Sequence, residues 1–256
     1  MENTIIEKQK TNRHSEAVIE IRHLKKSFAG KNVLSNITLD LFKGENLVVL
    51  GKSGQGKSVT IKCIVALLLQ DEGTVNVLGK EVKDLSDDDL KTLRGKVGFL
   101  FQSAALYDSM TVRENLEFPL TRVLRMTDKR KITALIEEVL EAVGLSGAID
   151  AMPSDLSGGM RKRIGLARTL ILKPEIMLYD EPTTGLDPIT SREISELILQ
   201  MQKRYKTSSI IITHDINCAR ITSDRILVLN DGSFVAEGSY DELEHSTDTL
   251  VNSFFK

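Results

Sequence analysis

The sequence predicts an α/β fold with a mainly parallel sheet, an antiparallel β subdomain near the N-terminus and an inserted α-helical subdomain. Three observations lead to this prediction. Residues 18–50 contain short β-patterned runs, residues 103–156 are more helical in pattern than the rest of the chain, and strands alternate with helices over residues 176–213. Such alternation is typical of a parallel sheet, because the chain must cross back over the sheet between parallel strands.

The first predicted elements belong to the antiparallel subdomain and to the start of the parallel core. Residues 18–22 and 33–41 are rich in aliphatic residues and are separated by turn residues, as expected for neighbouring strands. Residues 47–50 are predicted to form a buried strand, and apolar residues predict a helix over residues 57–69. The glycine-rich residues 51–56 therefore lie between a strand and a helix.

The helical subdomain is predicted at about residues 103–165. Within it, apolar residues recur three, four and seven positions apart between Asp128 and Gly144. Asp128 is suited to cap the start of this helix and Gly144 to end it. The elements predicted after it are strands at 176–179 and 209–213, a helix at 188–203 that starts with Pro188, and a hairpin of 226–229 and 234–237 around Asn230-Asp231-Gly232.

Size and charge restrict the classes of function. At 256 residues the chain is long enough to bury one substantial core, and one domain with subdomains is expected. Lys and Arg number 34 against 36 Asp and Glu, so the net charge of -2 provides no broad positive field for nucleic acid or anionic lipid. We therefore predict no nucleic-acid partner.

Neither membrane insertion nor secretion is indicated by the sequence. The longest apolar stretch, residues 63–69, is far too short to cross a bilayer. Residues 1–16 are polar, lack the apolar region of a signal peptide and are predicted to be a disordered tail. Cys63 and Cys218 lack metal-ligand spacing and are predicted to be reduced core residues. These features predict a soluble, intracellular protein.

A glycine-rich loop at residues 51–58, which ends in Lys57-Ser58, is the first motif that indicates a chemistry. Its main-chain N–H groups and the positive end of the following helix can hold a triphosphate. We expect Lys57 to contact the β and γ phosphates and the Ser58 hydroxyl to bind Mg²⁺. An ordinary turn is the alternative. The residues predicted to bind ATP in this segment are Gly51, Ser53, Gly54, Gln55, Gly56, Lys57, Ser58 and Val59.

Two adjacent carboxylates follow the apolar strand predicted at 176–179. Asp180 is placed to hold Mg²⁺ through water, and Glu181 is placed to orient or deprotonate the water that attacks ATP. The alternative is a solvated loop pair, which the apolar run before the carboxylates and the Pro-Thr-Thr after them disfavour. With the phosphate loop, the pair predicts an ATPase.

The segment Leu156-Ser157-Gly158-Gly159-Met160, followed by an apolar strand that ends in Asp-Glu, resembles the signature of ATP-binding cassette (ABC) proteins. The resemblance extends from about Val18 to the end of the chain. It implies a P-loop (RecA-like) core that binds ATP and Mg²⁺. It also implies the domain limits: an ABC ATPase domain at 17–245, between the tail at 1–16 and a C-terminal tail at 246–256.

The resemblance also implies roles for single residues. Gln102 matches the loop that senses the γ-phosphate and the metal, and His214 matches the switch histidine that reaches the γ-phosphate. Phe28 occupies the position at which the family stacks an aromatic ring, more often tyrosine, on adenine. A structural histidine and a core phenylalanine are the alternative interpretations of His214 and Phe28.

In this family, Ser157, Gly158 and Gly159 contact the γ-phosphate of ATP held by the opposite subunit. The chain carries one phosphate loop and one signature, so the resemblance implies a homodimer that holds two ATP molecules between its subunits. Residues 184–187 would follow that interface, with Asp187 placed to communicate between the sites. The nearby basic run Arg161-Lys162-Arg163 is interpreted as a solvated helix face.

Met160, where glutamine is commonest, and the segment 103–115 are similar to the ATPases of Mla-type, MCE-associated lipid transporters. Residues 248–255 are similar to the C-terminal segment of that group. This resemblance implies that a dimer of the chain powers phospholipid or other lipid transport by a separate integral membrane permease, with an MCE-domain substrate-binding protein on the far side. The chain would be peripheral, on the cytoplasmic face of the inner (plasma) membrane, and the permease would dock in the cleft near residues 102–115.

Two other functions remain open at the level of sequence. A soluble ABC ATPase of the iron-sulfur assembly type has similar size and motifs but works with cytosolic partners. A non-transport ABC regulator of a membrane protein would also look much the same. The segment after Gln102 favours the transporter over the soluble ATPase.

Overall fold

The computed structural model describes residues 16–255, which form an α/β fold on a ten-stranded sheet. The predicted disordered tail, residues 1–16, therefore lies outside the described residues except for Glu16. The strands are β1 (Ala17–Phe28), β2 (Lys31–Phe42), β3 (Asn46–Leu50), β4 (Glu72–Val77), β5 (Lys80–Glu81), β6 (Val97–Leu100), β7 (Ile176–Asp180), β8 (Ser208–Thr213), β9 (Arg225–Asn230) and β10 (Ser233–Gly238). The α-helices are α1 (Lys57–Ile64), α2 (Asp87–Lys96), α3 (Val112–Arg122), α4 (Lys129–Ala142), α5 (Gly158–Leu170), α6 (Pro188–Tyr205), α7 (Ile216–Thr222), α8 (Tyr240–Glu244) and α9 (Thr249–Asn252).

The predicted fold class is confirmed. The strand order is β5-β4-β1-β2-β10-β9-β3-β8-β7-β6. The five strands from β9 to β6 are parallel to their neighbours, whereas β1, β2, β4 and β5 pair antiparallel, as does the β9–β10 hairpin. A short parallel pairing of β10 with β2 joins the two parts, so the predicted small antiparallel sheet is continuous with the core sheet.

The parallel order of the core strands brings the phosphate loop, the two carboxylates and His214 to one edge of the sheet. Strands β3, β7 and β8 are neighbours in the order β3-β8-β7, and their carboxyl ends lie side by side. The phosphate loop follows β3, Asp180 ends β7 with Glu181 after it, and His214 follows β8. Ligands of open parallel sheets bind at such an edge, where the strands end and the helices begin.

Helix α1 is shorter than its sequence pattern predicts. It ends at Ile64, not at residue 69, because Ala66 adopts a left-handed φ of 49° and the N–H groups of Leu67 and Leu68 both donate to the Lys62 carbonyl. Leu67 and Leu69 are half exposed. The apolar run therefore continues beyond the end of the helix, where it has no buried face that would extend the helix.

The helical region contains α3, α4 and α5 as its α-helices. Asp128 caps α4 through its side chain, which accepts from the N–H groups of Arg130 and Lys131, and the predicted apolar face of α4 is buried. All three helices contribute to one core cluster together with residues of β3, β6, β7 and β8. The limits proposed for the subdomain, 103–165, stay a prediction.

The region predicted as a C-terminal tail contains α9, and its last described residues pack against the protein. Phe254 and Phe255 contact the core cluster, and the ring of Phe255 meets the ring of Tyr240 edge to face at 5.4 Å between centroids. Cys63 and Cys218 are buried, as predicted, and burial raises the pKa of both thiols to about 11. Within residues 16–255, no helix is both long and apolar enough to cross a bilayer.

Candidate functional site

The phosphate loop bends through glycines that no other residue could replace without strain. Gly56 has a φ of 97°, and a Cβ atom at this position would lie 2.6 Å from Leu34 Cδ2. Gly54 has a φ of 80°. Helix α1 begins directly after Gly56, which has no side chain to cap the first turn. The N–H groups of Lys57, Ser58 and Val59 therefore point out of the helix start, where they can donate to an anion.

The ammonium group of Lys57 lies in the concave side of its own loop. Its Nζ donates to the carbonyl oxygens of Gly51 at 2.6 Å and of Lys52 at 3.0 Å, and it lies 3.1 Å from Glu181 Oε1. The side chain of Lys57 is only 5% exposed and that of Glu181 11%. The loop and the carboxylate after β7 are thus in direct contact, although they are far apart in the sequence.

Ser58 and Asp180 form a pair of oxygen ligands beside the loop. The Ser58 hydroxyl donates to Asp180 Oδ1 at 2.8 Å. Burial raises the pKa of Asp180 above its usual value, and the hydrogen bond from Ser58 opposes this increase. Hydroxyl and carboxylate oxygens are the ligands that Mg²⁺ prefers, and Mg²⁺ is commonly held by one or two carboxylates with substrate phosphates. The donor chemistry of this pair fits Mg²⁺.

Both the carboxylate and the main chain of Glu181 are hydrogen-bonded. Its Oε2 lies 2.8 Å from His214 Nδ1 and accepts the N–H of His214 at 3.3 Å and the hydroxyl of Thr184 at 3.3 Å. Its main chain has a φ of 49°, which is unusual for a residue other than glycine and costs about 1–3 kcal/mol. The N–H of Glu181 donates to the carbonyl of Ile212 on β8 at 2.9 Å. Strain of this kind persists only where the surroundings hold the residue in place.

Gln102 lies just beyond the end of β6, and its side chain is exposed. The structure links its main chain, rather than its side chain, to the rest of the site, since the Gln102 carbonyl accepts a hydrogen bond from Lys162 Nζ. A sensing role for the Gln102 side chain stays a prediction.

The interpretation of residues 161–163 as a solvated helix face is wrong for Lys162. Lys162 is 6% exposed, and its Nζ also donates to the carbonyl of Glu181 at 3.3 Å. Burial lowers the pKa of Lys162, while the carboxylates of Asp180 and Glu181 oppose this decrease. Sequence reasoning missed this residue. A signal was present, because Gly159, Gly165 and Leu166, which flank Lys162 at helical spacing, are small or apolar and are buried.

Two further predicted ATP-binding residues have informative positions. Gln55 Oε1 accepts from the N–H of Asp231 in the β9–β10 turn at 2.6 Å, so the side chain of Gln55 is tied to that turn. Phe28, at the end of β1, is 42% exposed, which excludes its interpretation as a core residue. Lys26 Nζ lies 5.5 Å from the centroid of the Phe28 ring. The ring is available as a stacking surface.

Ser157, Gly158 and Gly159 lie at the start of helix α5. Ser157 is exposed and caps the helix, with its hydroxyl accepting from the N–H of Met160 at 3.2 Å. A Cβ atom on Gly158 would lie 3.2 Å from Leu186, and one on Gly159 would lie 2.6 Å from Thr190. The signature segment therefore packs against residues 184–190.

Asp187 forms the cap of the neighbouring helix α6. Its Oδ1 accepts from the N–H groups of Ile189 and Thr190, both at 3.0 Å. The hydrogen bond from the Thr190 hydroxyl keeps the pKa of Asp187 below its usual value. Ile189, beside it, is 74% exposed.

The predicted site residues therefore form two groups: Lys57, Ser58, Asp180, Glu181 and His214 meet at the sheet edge, whereas the signature segment and Asp187 share a separate exposed surface.

Comparison with known families and proteins agrees with this geometry. A family model described as ABC transporter matches residues 34–184 of the chain. The protein TRIGALACTOSYLDIACYLGLYCEROL 3 of Arabidopsis thaliana, which is chloroplastic, is 40% identical over 257 residues, covering 94% of this chain and 74% of its own length. The probable ribonucleotide transport ATP-binding protein mkl of Mycobacterium leprae is 37% identical and covers 92% of this chain and 68% of its own length. The methionine import ATP-binding protein MetN of Clostridium tetani is 35% identical, with coverages of 88% and 70%.

Two solved structures have the same fold. One is cbiO1 from Clostridium perfringens, described as part of the ABC transporter complex cbiONQ, with a TM-score of 0.83 and 26% identity over 93% of this chain and 94% of that chain. The other is the ATP-binding cassette MJ0796, solved as a dimer in a post-hydrolysis state with ADP and Pi. It has a TM-score of 0.78 and 33% identity, and the match covers 87% of this chain and 98% of that chain.

Proposed function

The chain belongs to the ABC transporter family and is an ATP-binding ATPase subunit of it, and we propose that it powers a separate membrane permease that moves phospholipid or another lipid. The observation that carries the lipid assignment is the 40% identity, over nearly the whole chain, to a relative named after a galactolipid. Met160 and the segment 103–115, which are similar to lipid-transport ATPases, also support it. Relatives named for ribonucleotides and for methionine match almost as well, so the substrate class requires an experiment.

The geometry supports a different role for each of the residues at the sheet edge. Lys57 and the N–H groups of the loop would hold the phosphates, and Ser58 and Asp180 would hold Mg²⁺. When bound, Mg²⁺ supplies positive charge that stabilises the departing phosphate. In the described part of the chain, no group of three His, Cys, Asp or Glu side chains is arranged for a metal, which is consistent with a site completed by substrate phosphates.

Glu181 would act as the base or the positioning group for the attacking water. Its Oε2 lies 2.8 Å from His214 Nδ1, and its Oε1 lies 3.1 Å from Lys57 Nζ. The carboxylate therefore lies between the group that would hold the γ-phosphate and the histidine at the end of β8. His214, whose side chain is 54% exposed, can reach outward towards a phosphate, and Gln102, exposed after the end of β6, would sense the same phosphate.

Phe28→Ala is expected to weaken ATP binding by about 5- to 150-fold, because stacking of a base on an aromatic ring contributes about 1–3 kcal/mol. Phe28→Tyr should keep the affinity, since it keeps the ring face. Isothermal titration with ATP and with inorganic tripolyphosphate measures the effect. The loss should appear for ATP only, because tripolyphosphate has no adenine. Equal ATP affinity of Phe28→Ala and the unmodified chain would contradict the stacking role.

We propose that the chain acts as a homodimer with ATP between the subunits. Ser157 is exposed at the start of α5, and its hydroxyl caps its own helix, 3.2 Å from the N–H of Met160. Ile189, close to the signature segment, leaves an apolar side chain 74% exposed, as expected for a surface covered by another subunit. The related cassette MJ0796 is dimeric.

The permease would dock in a groove between the sheet and the helical region. The groove has a volume of about 200 Å³, and its wall includes the stacked rings of Phe99 and Phe101, 4.2 Å apart, with Ala104 and Ala105. Arg168 donates to the Ala105 carbonyl and lies 4.5 Å from the ring centroid of Tyr107. The groove lies directly beside Gln102, so a helix that enters it would contact the segment that leads to the ATP site.

Purification of the tagged chain from its native membranes in mild detergent tests the proposed function. We expect a stoichiometric multi-span permease, an MCE-domain protein and bound phospholipid, all identified by mass spectrometry. This would place the chain at the inner (plasma) membrane, on its cytoplasmic face. Recovery of soluble partners alone, or of a homodimer absent from membranes, would favour the soluble ABC ATPase. A permease with a non-lipid ligand would retain the transporter and reject the lipid.

The Ala105→Asp variant should lose the permease in the same purification while keeping ATPase activity. It adds a charge to the wall of an apolar groove at a residue with a φ of 49°, a conformation that Asp tolerates. Lys206→Asn is the matched control, because it produces the same change in net charge at another exposed residue with positive φ. If Ala105→Asp retains the permease as well as Lys206→Asn does, the groove is not the docking site.

A further inference from the structure

Lys162 is a buried cation that none of the roles described above requires. Its ammonium group contacts two main-chain carbonyls, that of Gln102 after β6 and that of Glu181 after β7. A buried charge is costly unless it is hydrogen-bonded, and these two carbonyls supply the hydrogen bonds that Lys162 needs. The contacts are to main-chain oxygens, and Lys162 therefore restrains the course of the backbone at these two positions.

The neighbouring basic residues do not share this arrangement. Arg161 Nε donates to the Leu156 carbonyl, within the same segment of chain. Arg163 donates to the Val143 carbonyl and to Glu193 at 2.9 Å, which joins α5 to α4 and α6. Lys162 is the member of the run that reaches the sheet edge.

The restraint on Glu181 acts at a strained residue. Glu181 has a φ of 49°, and its carbonyl accepts from Lys162 Nζ and from the N–H of Thr184, both at 3.3 Å. This conformation directs its carboxylate to Lys57 at 3.1 Å and to His214 at 2.8 Å. Loss of a hydrogen bond to the carbonyl would allow the backbone to relax and the carboxylate to move.

The same helix carries the signature serine. Ser157 caps the start of α5, and Lys162 lies about 7.5 Å further along the helix axis at a rise of about 1.5 Å per residue. A helix segment of this length moves as a rigid unit. A displacement of Ser157 by a bound phosphate would therefore also shift the backbone from which the Lys162 side chain extends.

We propose that Lys162 is a positioning residue for hydrolysis, which ties the start of α5 to the main chain at Gln102 and Glu181 so that the Glu181 carboxylate is aligned only while α5 keeps its place. This inference rests on the proposed roles of Ser157 and Glu181. It adds a path within one chain from the signature segment to the hydrolytic carboxylate. ATP held by one site would thus influence the carboxylate of the other site through Lys162.

The test compares Lys162→Met, Lys162→Gln and Lys162→Arg in the purified full chain. Lys162→Met should lower kcat by about 10- to 100-fold, because a displacement of about 1 Å at a reacting group can cost about 100-fold. The Kd for ATP should change by less than about 3-fold. Lys162→Arg should recover most of the rate, since it keeps the cation and its donors, and Lys162→Gln should be intermediate. Lys173→Asn, which removes a cation from an exposed residue with positive φ just after the end of α5, is the control and should keep kcat per folded site.

A double mutant separates positioning from a general structural role. If Lys162 acts through Glu181, Lys162→Met should cause no further loss in a Glu181→Gln background, whereas a structural role would reduce the residual rate by the same factor as in the unmodified chain. Thermal unfolding and titration of ATP-binding sites correct the rates for folded protein. An unchanged kcat, or losses that multiply in the double mutant, would overturn the proposal. If Lys162→Met does not fold, the same comparisons with Lys162→Gln decide it.

These assays need no permease or lipid. Failure of the lipid-transport assignment would therefore leave the result for Lys162 unaffected. Conversely, an unmodified dimer that hydrolyses ATP normally beside an equally active Lys162→Met dimer would reject the positioning role alone.

Discussion

Glu181→Gln is expected to lower ATP turnover by about 10²- to 10⁴-fold, the range typical for loss of a general base. The substitution changes one atom of the side chain and should keep the main-chain hydrogen bonds to Ile212 and Lys162. ATP binding should remain or become tighter, because a negative charge 3.1 Å from Lys57 is removed from the neighbourhood of the γ-phosphate. Phosphate release and equilibrium ATP binding, measured on the same preparation, give the two quantities.

The matched control for this prediction is Glu175→Gln. Glu175 precedes the other end of β7, where it is exposed and pairs with Lys96 at 2.9 Å. This exposed pair contributes little, so turnover should be unchanged. Undiminished hydrolysis by Glu181→Gln would exclude Glu181 as the hydrolytic residue. A parallel loss of ATP binding would instead indicate that the charge of Glu181 supports the loop.

A second large effect is expected when Lys57→Ala and Ser157→Arg are distributed over the two subunits of a dimer. If the signature serine acts on ATP of the opposite subunit, placing one substitution in each subunit damages the same composite site twice and leaves the other site intact. Placing both substitutions in one subunit damages both sites. The first dimer should hydrolyse about one ATP per dimer in its first turnover, and the second dimer almost none.

Dimers isolated through two different affinity tags make this comparison possible. The physical basis is that Lys57 lies inside the phosphate loop, with its Nζ 2.6 Å from the Gly51 carbonyl, whereas Ser157 is exposed at the start of α5. A site completed within one chain predicts the reverse order of activities. That reverse order, or equal activity of the two dimers, would reject the action of Ser157 in trans.

Much of the fold and of the sheet-edge site follows from local sequence patterns. A strand, a glycine-rich turn and a helix in succession place the loop of residues 51–58, and an apolar strand that ends in Asp180 places both carboxylates. These patterns succeed because backbone conformation and burial along a short segment depend on neighbouring residues. The apolar pattern predicts a longer α1 than the structure has, because apolar character alone does not show whether a later contact will end a helix. Ala66, with its left-handed φ, ends it here.

Lys162 and Gln55 show where local patterns are insufficient. A basic run on a helix is usually solvated, yet the partners of Lys162 are carbonyls about 60 and 19 residues away, which its neighbours in sequence do not reveal. Gln55 lies in the loop predicted to bind ATP, and its contact with a distant turn, in which its side chain accepts from the N–H of Asp231, is not evident from the sequence. Both outcomes depend on contacts between segments that only the packed sheet brings together.

The fold class, the position of the phosphate loop and the two carboxylates after β7 could be predicted from the sequence, because each depends on residue types within a few positions of one another. The left-handed backbone of Glu181 between Lys57 and His214, and the burial of Lys162 against its carbonyl, could be seen only in the folded chain. Those features depend on which strands are neighbours in the parallel sheet, because this order determines which carboxyl ends lie side by side. That order is set by packing of the whole sheet.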